Sequence, residues 1–576
     1  GELSPIYLTC TGYPKSPLQQ RNLPPVNRRL WRQISIQSDP LDRYNKEPMN
    51  TDLEVSAAGT QPASWNRSIV ILGVIVAGFL ILRVPLMSRQ QGGTDEAFFA
   101  VPGRTILQEG IPRIPYLPVR DKTSVFYQAD KVLFCLPPAY FYWQAVFFGL
   151  LPDSFLTARL ASATSGLLML GILYLLGRQF LGSDNAGLWA AGLFSLSRLF
   201  YFPATSTRPD MLCGMWGLAA VVAAWKWSRD RDQKTLAGTG VLLGLGLLTH
   251  PYAIVYCLQI GLWVLLAKQT WRRRLQDTLF LVTCTVATFL LWVPLILLDP
   301  EVFWLQFSNN VLERAGPGLL ARCLMPWQSL THHFQLLVEH AQIPQLVLLL
   351  GGLTTATLLA IRHRQRSLTT LVLLTWTSIY LLVTISGVHP VKGYWCYPGG
   401  LLFLCTGYSI SYFLRTASWP ASSLATTGTT ILLALLLMAP GLGLRTWLSN
   451  ITNWSNAAYN QPALIRQVLQ QLPSDSRLYV DPAFVFDAYL TGAQVTFGSL
   501  TDIPVPTKNQ AAKNQATLSE SPTPAGLSYD YLVVGPLGRQ QNVAKQFQGQ
   551  LVDTFGSPQD PFACFIQLYR VPRQAD

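Results

Sequence analysis

Charge is what this chain has least of. Only 13% of its 576 residues are Asp, Glu, Lys or Arg, and 50% are hydrophobic. An average soluble domain is roughly 25% charged. The composition excludes an ordinary soluble enzyme and implies a membrane protein. The nine cysteines contain no Cys-x-x-Cys pair and no zinc-finger spacing. No Gly-x-x-x-x-Gly-Lys occurs, so nothing supports a nucleotide-driven pump. The formal net charge is +13, but no aromatic-basic nucleic-acid motif accompanies it. Its basic residues cluster in short stretches between apolar runs, as in cytoplasmic loops.

Long apolar runs are present in number. They lie at roughly 69–86, 155–177, 185–202, 210–227, 236–249, 251–267, 276–298, 343–361, 368–387, 394–414 and 423–444. About 20 apolar residues cross a bilayer as a helix, and these predict about eleven spans. His250-Pro251 is read as a tight turn between two short spans. With a cytoplasmic amino terminus, Arg178, then Lys226 to Lys234, Lys268 to Arg274, Arg362 to Arg366, and Arg415 fall in the inner loops. The short outer loops hold only Arg208 and Lys392. This alternation fits the positive-inside rule and an odd span count.

The expected fold class is a polytopic α-helical membrane protein with a small carboxy-terminal α/β domain. Residues 1–66 are polar and read as a disordered amino-terminal segment, with Met49 as an alternative start. Residues 67–448 form the membrane domain. Within it, 87–154 is a first large extracytoplasmic loop whose stretch Leu136 to Pro152 suits an interfacial helix. A second large loop is 299–342. Residues 449–576 form the extracytoplasmic domain, with a helix around 464–472. Strands are expected at 476–480, 485–490, 529–534 and 565–571. Cys135, Cys323 and Cys396 share the outer side, which leaves a disulfide among them open.

The polar marks collect on that outer side. Thr94-Asp95-Glu96 follows the first run, where paired carboxylates are costly unless used. Arg208 and Asp210 lie in Thr207-Arg-Pro-Asp210, followed by His250 and by His389-Pro390-Val391-Lys392 with Tyr394. Carboxylates and cations at one membrane face suit a reaction of a lipid-linked phosphate. Cations hold the phosphate, and a carboxylate takes the proton from an attacking hydroxyl. Each mark also has a structural reading: Arg208–Asp210 as a helix-end salt bridge, His389 and Lys392 as snorkelling side chains, Arg159 as a structural cation. His332, His333 and His340 do not have standard metal spacing. Asp230-Arg-Asp232 lies in a basic inner loop and reads as loop charge.

Taken together, Thr94-Asp-Glu-Ala-Phe-Phe99, Leu136-Pro-Pro-Ala-Tyr-Phe141, Ala158-Arg-Leu-Ala-Ser162, Tyr174-Leu-Leu-Gly-Arg178, Arg208-Pro-Asp-Met-Leu212 and Leu242 to Pro251 resemble glycosyltransferase family 39. This family of the C superfamily contains protein O-mannosyltransferases and the bacterial aminoarabinose transferase of lipid A. The resemblance covers about 69–270 well and 380–415 more loosely. It implies a polyprenyl-phosphate sugar donor, an extracytoplasmic lipid, glycan or protein acceptor, and inversion at the anomeric carbon. The transfer would be hexosyl or pentosyl, in a bacterial inner membrane. By position Asp95 matches the family's base with Glu96 beside it, Arg208 and Asp210 match a second polar pair, and His389 to Tyr394 a late basic-aromatic loop. Where relatives carry Lys-Pro-Pro this chain has Leu136-Pro137-Pro138, leaving Lys131 or Lys392 to supply the cation. Phe98 and Phe99 replace the Arg and Tyr of lipid A transferases, which argues against that acceptor. No cofactor is specified, and the residues do not require a divalent metal. The rival functions are a transporter or flippase for lipid-linked sugars, and a membrane-anchored binding protein.

Overall fold

A computed structural model describes residues 62–117, 120, 122–312, 318–388, 390–416, 423–497 and 529–572. Gly1–Ser64 and Trp65–Asp576 are separate units. The amino-terminal segment up to residue 61, like His389, lies outside the described residues.

Each expected apolar run contains a helix. The first is α1 (Pro62–Met87), and the first long loop then folds into α2 (Thr94–Phe99), α3 (Pro102–Glu109) and α4 (Ala139–Leu150). Helix α4 buries Tyr140, Phe141 and Phe148 and exposes Val146 and Leu150. Next comes α5 (Phe155–Leu175), extended to Phe180 by a π-helical turn. The expected span over 185–202 is two helices, α6 (Asp184–Leu196) and α7 (Arg198–Ala204). Ser197 breaks it: its ψ is 143° and its hydroxyl accepts the Leu199 N–H. Then follow α8 (Asp210–Asp230), α9 (Gln233–Thr249) and α10 (Ile254–Leu265), with the turn at His250-Pro251 between the last two. After α11 (Trp271–Phe289) and α12 (Val293–Ile296), the second long loop forms α13 (Pro300–Phe307), α14 (Leu319–Leu324) and α15 (Trp327–Ala341). The membrane part closes with α16 (Ile343–His363), α17 (Arg366–Ser386), α18 (Cys396–Thr416), α19 (Ser423–Met438) and α20 (Leu444–Thr452).

Among the described residues five helical stretches alone are long and apolar enough to cross a bilayer: Asn66–Met87, Phe155–Phe180, Trp271–Ile296, Ile343–His363 and Arg366–Ser386. A sixth is the pair Ala425–Gly441 and Leu444–Thr452, bent by 71°. Small residues bring interior helices close. A Cβ on Gly177 would lie 2.4 Å from the Gly187 Cα, so the glycine of Tyr174-Leu-Leu-Gly-Arg178 is where α5 meets α6. Cys323 and Cys396 are free thiols, so no disulfide joins them to each other or to Cys135.

The carboxy-terminal domain has α21 (Gln461–Leu469), β1 (Arg477–Val480), α22 (Val485–Leu490), β2 (Gln494–Thr496), β3 (Tyr531–Val534), β4 (Gln550–Gly556) and β5 (Phe565–Arg570). The sheet order is β2-β1-β3-β5-β4. β1 runs parallel to β2 and β3, and β5 antiparallel to β3 and β4. The strand expected at 485–490 is a helix. Asp481 turns the chain: its Oδ1 accepts from Ala483 N, and its carbonyl accepts from Val485 N, starting α22. Strand β4 was not expected because most of it is exposed and shows no apolar alternation.

Candidate active site

Gly93 opens α2, and Glu96, three residues on, reaches back so that its Oε2 accepts the Gly93 N–H at 2.9 Å. The same carboxylate accepts Nε and Nη2 of Arg159, both at 2.8 Å, and Thr207 N at 3.0 Å. Burial opposes the Glu96 charge, yet Arg159 and the two backbone amides outweigh it and hold its carboxyl below the usual range. Arg159 also donates to the Met87 and Gln90 carbonyls. Glu96 and Arg159 thus tie together the end of α1, α2, α5 and the loop before α8.

With Glu96 turned inward, Asp95 faces out. Its side chain is 51% exposed and pairs through Oδ2 with Arg208, whose side chain is 7% exposed. Asp210, fully buried, holds Arg208 from behind at 2.7 Å and accepts the Tyr397 hydroxyl at 3.2 Å. Ser162 fixes the Arg208 backbone from both sides, donating to its carbonyl and accepting its N–H, and meets the Tyr140 hydroxyl at 2.8 Å. Arg159 and Ser162 share a face of α5 by their i, i+3 spacing. Gly393 passes so close that a Cβ there would lie 2.8 Å from both Arg208 Nε and Asp210 Oδ2.

These groups border a cavity of about 730 Å³. Asp95, Glu96, Arg159 and Arg208 line it with Arg89, Arg198 and Phe202, and the far wall includes Tyr459, Phe562 and Cys564. Asp210, His250, Lys392, Tyr394 and Lys131 are not in the lining. His250 and Tyr394 stand behind Asp210 in a ring cluster: Tyr252 and Tyr394 have centroids 4.2 Å apart, His250 and Tyr394 5.5 Å. Lys392 is exposed on the turn before α18. Lys131 is bonded to Gln128 at 3.3 Å on the surface of the first loop. His333 meets the Ser386 hydroxyl and His340 packs against Phe202, so the loop histidines have separate partners. Among the described residues no group of three His, Cys, Asp or Glu could hold a metal.

The carboxy-terminal domain also reaches this site. Gly92 N is shared between Gln461 Oε1 at 2.8 Å and the Ala483 carbonyl at 3.1 Å. Gln461 N donates to the Arg89 carbonyl, and Arg89 donates to the Tyr459 and Trp454 carbonyls with its guanidinium 4.0 Å from the Trp454 ring. The domain therefore grips the loop that presents Asp95. Behind the grip, Gln461 Nε2 donates to Asp487 at 2.7 Å. Burial raises the Asp487 carboxyl to about 6 against the pull of Gln461, Arg159 and Arg466.

That shift sets a pH dependence. The folded protein keeps the Asp487 proton where the unfolded chain has lost it, so its stabilising effect is complete below about 4 and lost as pH rises through 6. Asp487→Asn keeps an acceptor for Gln461 without the charge. It should flatten this slope and stabilise the protein at pH 7 by on the order of 2–3 kcal/mol. Thermal unfolding in detergent from pH 4 to 8 checks this.

Residues 136–297 match the family model for dolichyl-phosphate-mannose-protein mannosyltransferases. The structure of ArnT from Cupriavidus metallidurans bound to undecaprenyl phosphate is similar at TM-score 0.56 and 16% identity, over 88% of this chain and 98% of that one. The two chains share a fold over nearly the whole of that structure. The same enzyme in its apo state matches at TM-score 0.54 and 17% identity, again over 88% and 98%. An Archaeoglobus fulgidus oligosaccharyltransferase in complex with zinc and sulfate matches at 0.50 and 12%, over 87% of this chain and 73% of that one. No curated protein matches the sequence. The chain thus shares its fold with ArnT, and its segment 136–297 is similar to that mannosyltransferase family.

Proposed function

We propose that this protein transfers a sugar from a polyprenyl-phosphate donor to the hydroxyl of an extracytoplasmic acceptor, with inversion. The observation that carries the reading is the half-exposed Asp95 carboxylate at a cavity wall, paired with an Arg208 that buried Asp210 holds in place. Asp95 Oδ2 faces Arg208, which leaves Oδ1 to accept the acceptor's hydroxyl proton. The acceptor oxygen attacks the anomeric carbon as the bond to the phosphate oxygen breaks, and the polyprenyl phosphate departs with that electron pair. Phosphate leaves without protonation, so one base suffices. Arg208 steadies the phosphate charge as it develops; Lys392, exposed on the turn before α18 and outside the cavity lining, is given no part in it. Glu96 positions Asp95 through the Arg159 pair. Asp210 supports Arg208 from behind, and His250 and Tyr394 pack in the ring cluster around Tyr397, which bonds Asp210. Lys131 stands too far out on the first loop to be assigned a contact.

The topology that goes with this reading has eleven spans, a cytoplasmic amino terminus and the α/β domain outside a bacterial inner membrane. It is supported by the alternation of basic loops. ArnT was crystallised with undecaprenyl phosphate, which supports the same class of donor lipid. The test is product release. Reconstituted protein given a polyprenyl-phosphate sugar and envelope acceptors should liberate free polyprenyl phosphate and label the acceptor. Passage of intact donor across the bilayer with neither product would establish the flippase instead.

A further inference from the structure

The charges around the cavity do not cancel. Four arginines line it, Arg89, Arg159, Arg198 and Arg208, against two acids, Asp95 and Glu96. Asp95 is matched by Arg208 and Glu96 by Arg159. Arg89 is engaged by two carbonyls and the Trp454 ring. Arg198 is different. Among the described residues no hydrogen bond or ion pair engages its guanidinium, although it lines both the main cavity and an adjoining chamber of about 170 Å³. That chamber is shared with Arg83, Tyr201, Phe202, Thr205 and Thr446, and no carboxylate lines it. Arg83 there donates to the Leu442 carbonyl at 2.7 Å and stacks 3.5 Å over Tyr201.

A half-buried guanidinium next to a second buried cation, with no counter-charge, is unfavourable unless an anion joins them. The planar fork of Arg takes phosphate or carboxylate oxygens two at a time. We propose that Arg198 is the recognition residue of an anion subsite, in which the wall formed by α7 and α20 takes a phosphate or carboxylate carried by a substrate. The inference rests on the transferase reading and adds a site to it, apart from the Asp95–Arg208 pair. Two substrates can bring this chemistry: the phosphate headgroup of the donor lipid, or an anionic group on the acceptor.

The test is binding without turnover, on the full chain in neutral-lipid nanodiscs. The probes are a polyprenyl phosphate, glycerol 1-phosphate, and the uncharged polyprenol and glycerol. Arg198→Gln should weaken one phosphate probe by roughly ten- to hundredfold, as loss of charge-assisted hydrogen bonds does. Arg198→Lys should restore part of it, and the uncharged probes should not change. Loss confined to glycerol 1-phosphate assigns the subsite to the acceptor. Loss of polyprenyl phosphate assigns it to the donor headgroup. Wild-type protein that binds neither phosphate, or equal affinities in wild type and Arg198→Gln, overturns the subsite. Intact anion binding without any polyprenyl phosphate release would instead overturn the transferase reading and leave the subsite standing.

Discussion

Asp95→Asn is expected to lower sugar transfer by about 10²–10⁴, the usual contribution of a positioned general base. The change is nearly isosteric and falls on a side chain that is 51% exposed, so the fold has no reason to suffer. The amide oxygen still accepts from Arg208, so the guanidinium stays where Asp210 holds it and donor binding should change little. Only the capacity to take a proton is lost. The measurement is initial rate against donor concentration, with donor affinity determined separately. A drop in kcat with donor affinity kept supports Asp95 as the base. Unchanged kcat removes Asp95 from the chemistry. Equal loss of donor binding and rate makes it a binding group.

Arg159→Met is expected to act on the fold. Arg159 and Glu96 are both buried, with side chains 3% and 7% exposed. Removing the cation leaves a carboxylate stranded in a poorly solvated interior, along with the Met87 carbonyl it bonded at 2.6 Å. Breaking a buried pair from one side costs about 3–5 kcal/mol. Thermal unfolding in detergent should register that loss. The double variant Arg159→Met with Glu96→Leu should recover part of it, because an apolar pair of similar volume avoids the stranded charge. If the single variant unfolds like wild type, the pair does not hold the site together.

The membrane helices could be read in the sequence because hydrocarbon demands long apolar runs and inner loops attract lysine and arginine. The break at Ser197 could not, since one serine in an apolar run is an ordinary helix residue until its neighbours are known. The approach of Asp95 to Arg208 was legible for a related reason: few charges lie between the apolar runs on the side away from the basic loops, and these two are among them. Lys392 and Lys131 show the limit of that argument. Sharing a side of the membrane does not bring a side chain into one cavity. The signal for Arg198 was weaker still, because it lies inside an expected span, where an arginine is itself unusual. Gln461 and Asp487 gave no signal, since their meaning depends on a contact with Gly92 that lies 369 residues from Gln461. In the carboxy-terminal domain Val485-Phe-Asp-Ala-Tyr-Leu490 has strand-like composition, and the Asp481 turn overrides it.

That distant contact bears on biogenesis. The helices on either side of Asp95 and Arg208 emerge early from the ribosome and can insert at once. The amide and carbonyl groups that steady Gly92 and Arg89 come from residues 454–483. A nascent chain is therefore threaded through the bilayer well before its working centre is set. Truncation after α20 should yield a bundle that is inserted but silent.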